Sequence, residues 1–294
     1  MRRLGYSGAM STTALPVRAA AGGAWAAEAR ATVALAWPIA LTNLSQMAMG
    51  ITDAAMLGNY DAAALAASAI GLALYWSVAI AGLGLAFGTA PLMAQALGRA
   101  RHAVRDVRRS ARMGLWATAG FALPASALLW QAEAILLALG QEPALAQLGG
   151  VYVRTLLPGL LPFWWFMVLR SFVSALERPK PALIATMIAI PLNGVLDWLF
   201  IFGRFGLPEL GIAGAGLASA ASTIAMMAML LAVCVTDRQF RRYALLGRLW
   251  RLDRAHMTEL LRVSLPIVGA LMFEVMVFNA AVLVVGWIGP ASVA

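Results

Sequence analysis

Long apolar stretches follow one another along the chain, and short groups of charged residues separate them. A helix needs about 20 apolar residues to cross the roughly 30 Å hydrocarbon core of a bilayer. The lengths of the stretches therefore predict membrane-spanning helices near residues 33–57, 65–97, 113–139, 150–176, 181–202, 211–235 and 263–287. The second stretch is longer than one crossing needs, so we expect it to tilt strongly or to extend beyond the bilayer.

The composition supports a protein whose solvent is lipid. Hydrophobic residues make up 62% of the 294 residues and charged residues only 12%, whereas soluble domains are about half apolar and a quarter charged. The mean hydropathy is +0.81. Because a soluble fold could not hide so much apolar surface, the predicted fold class is an all-α integral membrane protein.

The positions of the charged residues decide how the net charge of +9 is interpreted. In a soluble protein this charge would suggest nucleic-acid binding. Here the arginines concentrate between the apolar stretches, within residues 99–112 and 238–262. Such clusters are typical of cytoplasmic loops. We therefore expect a lipid bilayer as partner, no nucleic acid, and a multi-pass topology with the amino terminus in the cytoplasm.

The same pattern predicts the domain organisation. Residues 1–30 form a cytoplasmic amino-terminal tail, 31–236 a six-helix membrane lobe, 237–262 a basic cytoplasmic loop between lobes, and 263–294 the first helix of a second lobe. We expect this second lobe to be incomplete in the sequence.

The seventh apolar stretch aligns with the first without a gap. Pro38 matches Pro266 and Gly58 matches Gly286, so both stretches have a proline near the inner end and a glycine at the outer end. Internal repeats are common in transporter folds, and a repeat is the interpretation that we favour. The alternative is a chance similarity between two membrane helices.

Acidic residues within the apolar stretches are the main candidates for function, because a carboxylate near the bilayer centre costs about 2.5–3.5 kcal/mol. Asp53 lies near the outer end of the first predicted helix, and Asp197 shares a face of the fifth with Asn193. Glu274 lies deepest, in the seventh. We expect these residues to bind and release a proton or a sodium ion during a transport cycle.

Structural roles for these residues are the alternative. Asp53 could be an interfacial carboxylate that reaches headgroup water, and Asn193 and Asp197 could form hydrogen bonds that hold helices together. A structural role is hard to envisage for an unpaired Glu274.

Two prolines are candidate hinges, because Pro38 and Pro266 each remove a backbone hydrogen bond within a predicted helix. The alternative is a proline that the membrane helix tolerates. The single cysteine and the two histidines have no metal-ligand spacing, so we expect no metal centre.

From about Val33 onward, the sequence resembles the multidrug and toxic compound extrusion (MATE) family, and in particular its NorM-like branch. Each motif is weak alone, and their order and spacing make the resemblance specific. The segments that carry it are residues 50–58, 170–181, 191–197, 202–206 with 211–216, and 266–274.

The resemblance implies two six-helix lobes around a central cleft, in the inner membrane of a bacterium. It implies export of small organic cations and drugs in exchange for sodium ions or protons, with no cofactor beyond the coupling ion. By motif match, Asp53 is the acid of the first helix, Asn193 and Asp197 are the polar pair of the fifth, and Glu274 is the cation ligand of the seventh. Pro38 is the bending hinge, and the second lobe of the same protein is an expected partner.

Three other functions are possible. A flippase for lipid-linked saccharides would need arginine or lysine facing its cavity, whereas the charges within these stretches are mainly acidic. A membrane-embedded enzyme would need clustered catalytic groups at one interface, so we expect no enzymatic activity and no catalytic residues. A purely structural membrane module would leave the costly carboxylates unexplained.

Overall fold

The computed structural model describes residues 21–99, 103–206, 208–247 and 250–288, which are almost entirely helical and contain no strand. One helix, or two consecutive helices in the case of spans 65–97 and 113–139, covers each predicted span, so the predicted all-α class is confirmed. In chain order the helices are α1 (Ala21–Tyr60), α2 (Ala62–Phe87), α3 (Thr89–Gly98), α4 (Ala103–Trp130), α5 (Ala132–Ala138), α6 (Pro143–Ala175), α7 (Lys180–Ile201), α8 (Ile212–Thr236), α9 (Arg238–Arg241) and α10 (Arg254–Ile288).

Six helical segments of the described residues are long and apolar enough to cross a membrane. They are Ala62–Gly98, Ala103–Trp130, Pro143–Ala175, Lys180–Ile201, Ile212–Thr236 and Arg254–Val277. Helix α1 is not among them, although it covers the first predicted span. Its residues Asn43, Gln46 and Asp53 lower its hydropathy, and Thr42, Ser45 and Asp53 are buried. These three buried residues therefore point into the lobe, whereas Asn43 is exposed.

Several predicted boundaries differ from the helices. Helix α4 begins at Ala103, so Arg105, Arg108, Arg109 and Arg112, which the sequence assigned to a loop, occupy its first turns. Helix α1 begins at Ala21, inside the predicted tail of residues 1–30, and residues 1–20 lie outside the described part of the chain. The predicted loop 237–262 contains α9 and the first turns of α10. The segment 289–294, which the predicted final helix included, also lies outside the described residues.

Helix α6 is the centre of the lobe and packs against α8, α2 and α4. Of its most apolar 18 residues 61% are buried, compared with 11% of those of α10 at the periphery. The side chain of Trp164 on α6 is fully buried, and its Nε1 donates a hydrogen bond of 3.0 Å to the carbonyl oxygen of Ala79 on α2. A Cβ on Gly82 would overlap the Trp164 indole ring, so α2 and α6 approach closely only because residue 82 is glycine.

The start of α8 is held against both of its neighbours by small residues. A Cβ on Gly214 would lie 2.5 Å from the carbonyl oxygen of Phe200 on α7. A Cβ on Gly216 would lie 2.9 Å from the carbonyl oxygen of Tyr152 on α6. This close packing brings polar residues of α7 and α8 into one interior region.

Candidate coupling site

Four polar side chains from three helices form one cluster inside the lobe. Asp53 comes from α1, Asn193 and Asp197 from α7, and Ser219 from α8; we call these residues the polar cluster. Asn193 and Asp197 are fully buried, and Asp53 is only 9% exposed. The four-residue spacing on α7 thus directs both of its polar side chains inward, as the sequence predicts.

The polar cluster is short of hydrogen-bond partners. Ser219 Oγ donates a hydrogen bond to Asp53 Oδ2, and Asp197 and Asn193 lie beside the Asp53 carboxyl group within interaction distance. Among the described residues, however, no protein group forms a geometrically sound hydrogen bond with Asp53 Oδ1, with either oxygen of Asp197, or with either polar atom of Asn193. Each buried polar group without a partner costs about 1–3 kcal/mol. A proton, a water molecule or a small cation would relieve this cost.

A cavity of about 280 Å³ opens beside the polar cluster, between α1, α2, α6 and α8. Asp53 and Ser219 line it, whereas Asn193 and Asp197 are not among its lining residues. Asp53 therefore lies at the boundary between the cavity and the buried α7 pair. Gln46 also lines the cavity, and its buried Nε2 has no hydrogen-bond partner among the described residues.

Aromatic side chains form much of the remaining cavity wall. Tyr75 and Trp76 come from α2, and Tyr152 and Phe163 from α6. The rings of Trp76 and Phe163 meet edge to face with centroids 5.6 Å apart. No arginine or lysine is among the described residues that line the cavity.

Glu274 is separate from the polar cluster. It is exposed on α10, and the main contacts of α10 are with α2, α4 and α3 rather than with the helices that hold the cluster. The structure thus brings together Asp53, Asn193 and Asp197 of the predicted coupling residues and leaves Glu274 apart.

Both predicted hinges lie inside continuous helices. Pro38 is buried in α1, and Thr42 Oγ1 donates a hydrogen bond of 2.6 Å to its carbonyl oxygen. Pro266 lies in α10. Neither helix is interrupted at its proline, so the hinge role stays a prediction.

The sequence does not predict that Ser219 and Gln46 belong to this site. Ser219 and Thr223 repeat with helical spacing on an otherwise apolar helix, which is a weak signal because serine and threonine in helices often bond their own backbone. Thr223 does so, because its Oγ1 donates a hydrogen bond of 2.8 Å to the carbonyl oxygen of Ser219. Only the packing of α8 against α1 and α7 identifies Ser219 as a partner of Asp53.

Fold and site together define a multi-pass helical membrane protein with buried acids beside an aromatic cavity. The family model MatE matches residues 38–199. The chain belongs to the MatE family, so the family resemblance that the sequence suggests is confirmed.

Individual relatives agree with the family. The probable multidrug resistance protein NorM of Mesorhizobium japonicum is 50% identical over 270 residues, which cover 92% of this chain and 58% of that protein. The multidrug resistance protein MdtK of Klebsiella pneumoniae is 34% identical over 269 residues, 91% of this chain and 58% of that protein. This chain therefore spans somewhat over half the length of both relatives.

A solved structure supports the fold independently. The crystal structure of the eukaryotic MATE transporter AtDTX14 superposes with a TM-score of 0.77 at 22% sequence identity, covering 91% of this chain and 58% of that one.

Proposed function

We propose that this chain forms the amino-terminal lobe of a secondary active efflux antiporter, which exports small organic cations and drugs in exchange for sodium ions or protons. The observation that supports this proposal most directly is the position of Asp53. Its carboxyl group lies between the aromatic cavity and the buried pair of Asn193 and Asp197.

A carboxylate in this position can couple two cations by competition. Two carboxylates that lie close together in a poorly solvated interior repel each other, and a proton or cation that binds between them removes this repulsion. Once Asp53 is neutralised from the buried side, it no longer attracts a cation in the cavity. Binding of the coupling ion would therefore favour release of the cationic drug.

The cavity suits aromatic, singly charged organic cations. An aromatic ring attracts a cation over its face by about 0.5–2 kcal/mol, depending on how far the pair is desolvated. Trp76 and Phe163 offer such rings in the cavity that Asp53 also lines. The absence of arginine and lysine from the described lining residues weighs against the rival flippase for anionic lipid-linked sugars.

The membrane potential would supply part of the driving force when more coupling ions enter than singly charged drug molecules leave, because a one-for-one exchange moves no net charge. Each positive charge that moves inward gains about 2.3 kcal/mol per 100 mV. With the arginine-rich ends of the helices in the cytoplasm, the amino terminus lies inside and the Asp53 end of α1 lies in the outer half of the bilayer. The second lobe of the same protein would complete the cleft, and Glu274 would act there instead of in the polar cluster.

Efflux from bacterial cells tests the role of Asp53. The probe is the lipophilic cation tetraphenylphosphonium, and the protein is expressed from its complete gene. We expect Asp53→Asn to abolish efflux with normal expression. The matched control is Asp61→Asn at the amino-terminal cap of α2, where asparagine can still accept the hydrogen bond from the Ala64 N–H.

Undiminished efflux in Asp53→Asn would refute the assignment of the coupling site. Equal loss in Asp53→Asn and Asp61→Asn would show that the carboxylate at residue 53 has no specific role.

A further inference from the structure

An arginine-lined pocket of about 400 Å³ lies away from the drug cavity, between the start of α4 and the segment that leads into α10. We call its six arginines the arginine cluster. They are Arg105, Arg108, Arg109, Arg112, Arg251 and Arg254.

The charge of this pocket is not balanced by the residues that line it. Among the described lining residues, Asp253 is the only acid. Its Oδ2 lies 3.6 Å from Arg109 Nε and 3.7 Å from His256 Nδ1. Arg108 Nε is buried without a hydrogen-bond partner in the described structure. The positive charge of the arginine cluster therefore suits an anion of higher charge than one carboxylate.

The face of α4 that bears the arginines continues into an apolar groove. Residues spaced by three and four positions share one face of a helix, so Arg108 and Arg112 lie in line with Trp116 and Ala119. The groove has a volume of about 150 Å³ and an entirely apolar lining, to which α4, α6, α8 and the loop after α9 contribute. Its residues include Leu115, Trp116, Ala119, Trp165, Leu231 and Leu246.

Three contacts fix the walls of this groove. Trp165 Nε1 donates a hydrogen bond of 3.2 Å to the carbonyl oxygen of Leu115, which joins α6 to α4. The loop after α9 is anchored by Phe240 of α9 and by Tyr243, which are buried and contact the ring of Phe172 at centroid distances of 5.8 and 5.4 Å. The same loop provides Leu246 to the groove and leads on to Arg251 and Arg254 of the arginine cluster.

We propose that the arginine cluster and the adjoining groove bind one anionic phospholipid, with its phosphate on the arginines and an acyl chain along the apolar face of α4. Guanidinium groups bind phosphate through paired N–H donors, and basic pockets at the cytoplasmic ends of membrane helices suit anionic headgroups. If the arginines served only to keep these helix ends in the cytoplasm, no groove for a hydrocarbon chain would be needed beside them. The lipid would tie α4 to the segment before α10, at the junction of the two lobes.

Native mass spectrometry of the purified protein, expressed from its complete gene, tests this site. The probes are dioleoylphosphatidylglycerol, dioleoylphosphatidylcholine and inorganic phosphate. We expect the wild type to bind phosphatidylglycerol more tightly than phosphatidylcholine. A variant with Arg105→Gln, Arg108→Gln and Arg251→Gln should bind phosphatidylglycerol about a hundredfold more weakly, at about fivefold per arginine near a membrane surface.

The matched control removes the same charge from exposed arginines outside the cluster, with Arg238→Gln, Arg241→Gln and Arg262→Gln. It should bind phosphatidylglycerol like the wild type. Ala119→Phe narrows the groove and should weaken the binding of phosphatidylglycerol without changing the binding of inorganic phosphate. Thermal unfolding of each variant verifies that it is folded.

Three results would overturn the proposal. The first is a wild type without preference for phosphatidylglycerol. The second is an equal loss of affinity in the cluster variant and the control. The third is displacement of phosphatidylglycerol by inorganic phosphate with no effect of Ala119→Phe, which would make the pocket a site for free anions. None of these outcomes depends on transport activity.

Discussion

The contact between Gly82 and Trp164 offers a quantitative test of how α2 and α6 shape the cavity. In Gly82→Ala the new methyl group would overlap the indole ring, and even the more distant Trp164 Cδ2 would lie only 2.6 Å away. Carbon atoms in contact normally lie about 3.5–4 Å apart. The ring or the helix must therefore move by about 1 Å or more.

The ring cannot move freely. It is fully buried, its Nε1 donates to Ala79, and it packs on Phe121 with a centroid distance of 5.6 Å. Overpacking of this kind costs about 1–3 kcal/mol. The higher helix propensity of alanine returns up to about 1 kcal/mol, so we expect a net destabilisation of about 1–2 kcal/mol.

Thermal unfolding of the purified protein in detergent measures this effect. The matched control is Gly120→Ala, in the interior of α4, where a Cβ would meet nothing within 4 Å. It should be neutral or stabilising, whereas Gly82→Ala should lower the melting temperature by several degrees. Gly82→Ala with Trp164→Phe should recover part of the loss. A Gly82→Ala protein as stable as Gly120→Ala would refute the packing argument.

Three further predictions concern the hinge, the polar cluster and the loop before α10. Pro38→Ala restores a backbone donor to α1, so we expect slower efflux with unchanged drug binding; unchanged efflux would exclude a hinge at this residue. Ser219→Ala removes the donor to Asp53, and because a hydrogen bond to a charged group stabilises that charged form by about 1.5–3 kcal/mol, the apparent affinity for a coupling proton, measured from the pH dependence of efflux, should rise about tenfold or more, whereas Ser219→Thr should keep the wild-type value. Partial burial opposes ionisation of Asp253, but hydrogen bonds from the His256 and Ala255 backbone and attraction to His256 and Arg109 outweigh it and hold the pKa of Asp253 below its ordinary value. The ionised Asp253 therefore stabilises the folded state above about pH 4, and this stabilisation is lost as the pH falls further. Hydrogen exchange at the start of α10 should show this loss in the wild type but not in Asp253→Asn.

The sequence predicts the helices well because apolar run length is a strong signal in a membrane. It also predicts a helix over residues 33–57, although Thr42, Ser45 and Asp53 within this stretch are buried polar residues and α1 is not among the helices that are apolar enough to qualify as spans. It also misses the end of α4 at Trp130, because the apolar character continues through the short helix α5.

The polar cluster was predictable in part. Intramembrane acids stand out by their cost, and their four-residue spacing places Asn193 and Asp197 on one face. No sequence signal distinguishes Ser219 from serines that bond their own helix, and depth alone cannot tell that Glu274 lies on a different surface from Asp53. Both facts depend on which helices pack together.

Cation exchange by the purified protein in liposomes tests the central claim most directly. Uptake of tetraphenylphosphonium is driven by a sodium gradient or by a proton gradient, imposed separately, with the wild type, Asp53→Asn and Asp61→Asn side by side. We expect that one of the two gradients drives uptake in the wild type and in Asp61→Asn, and that neither does so in Asp53→Asn. Gradient-driven uptake by Asp53→Asn at the wild-type rate would contradict it.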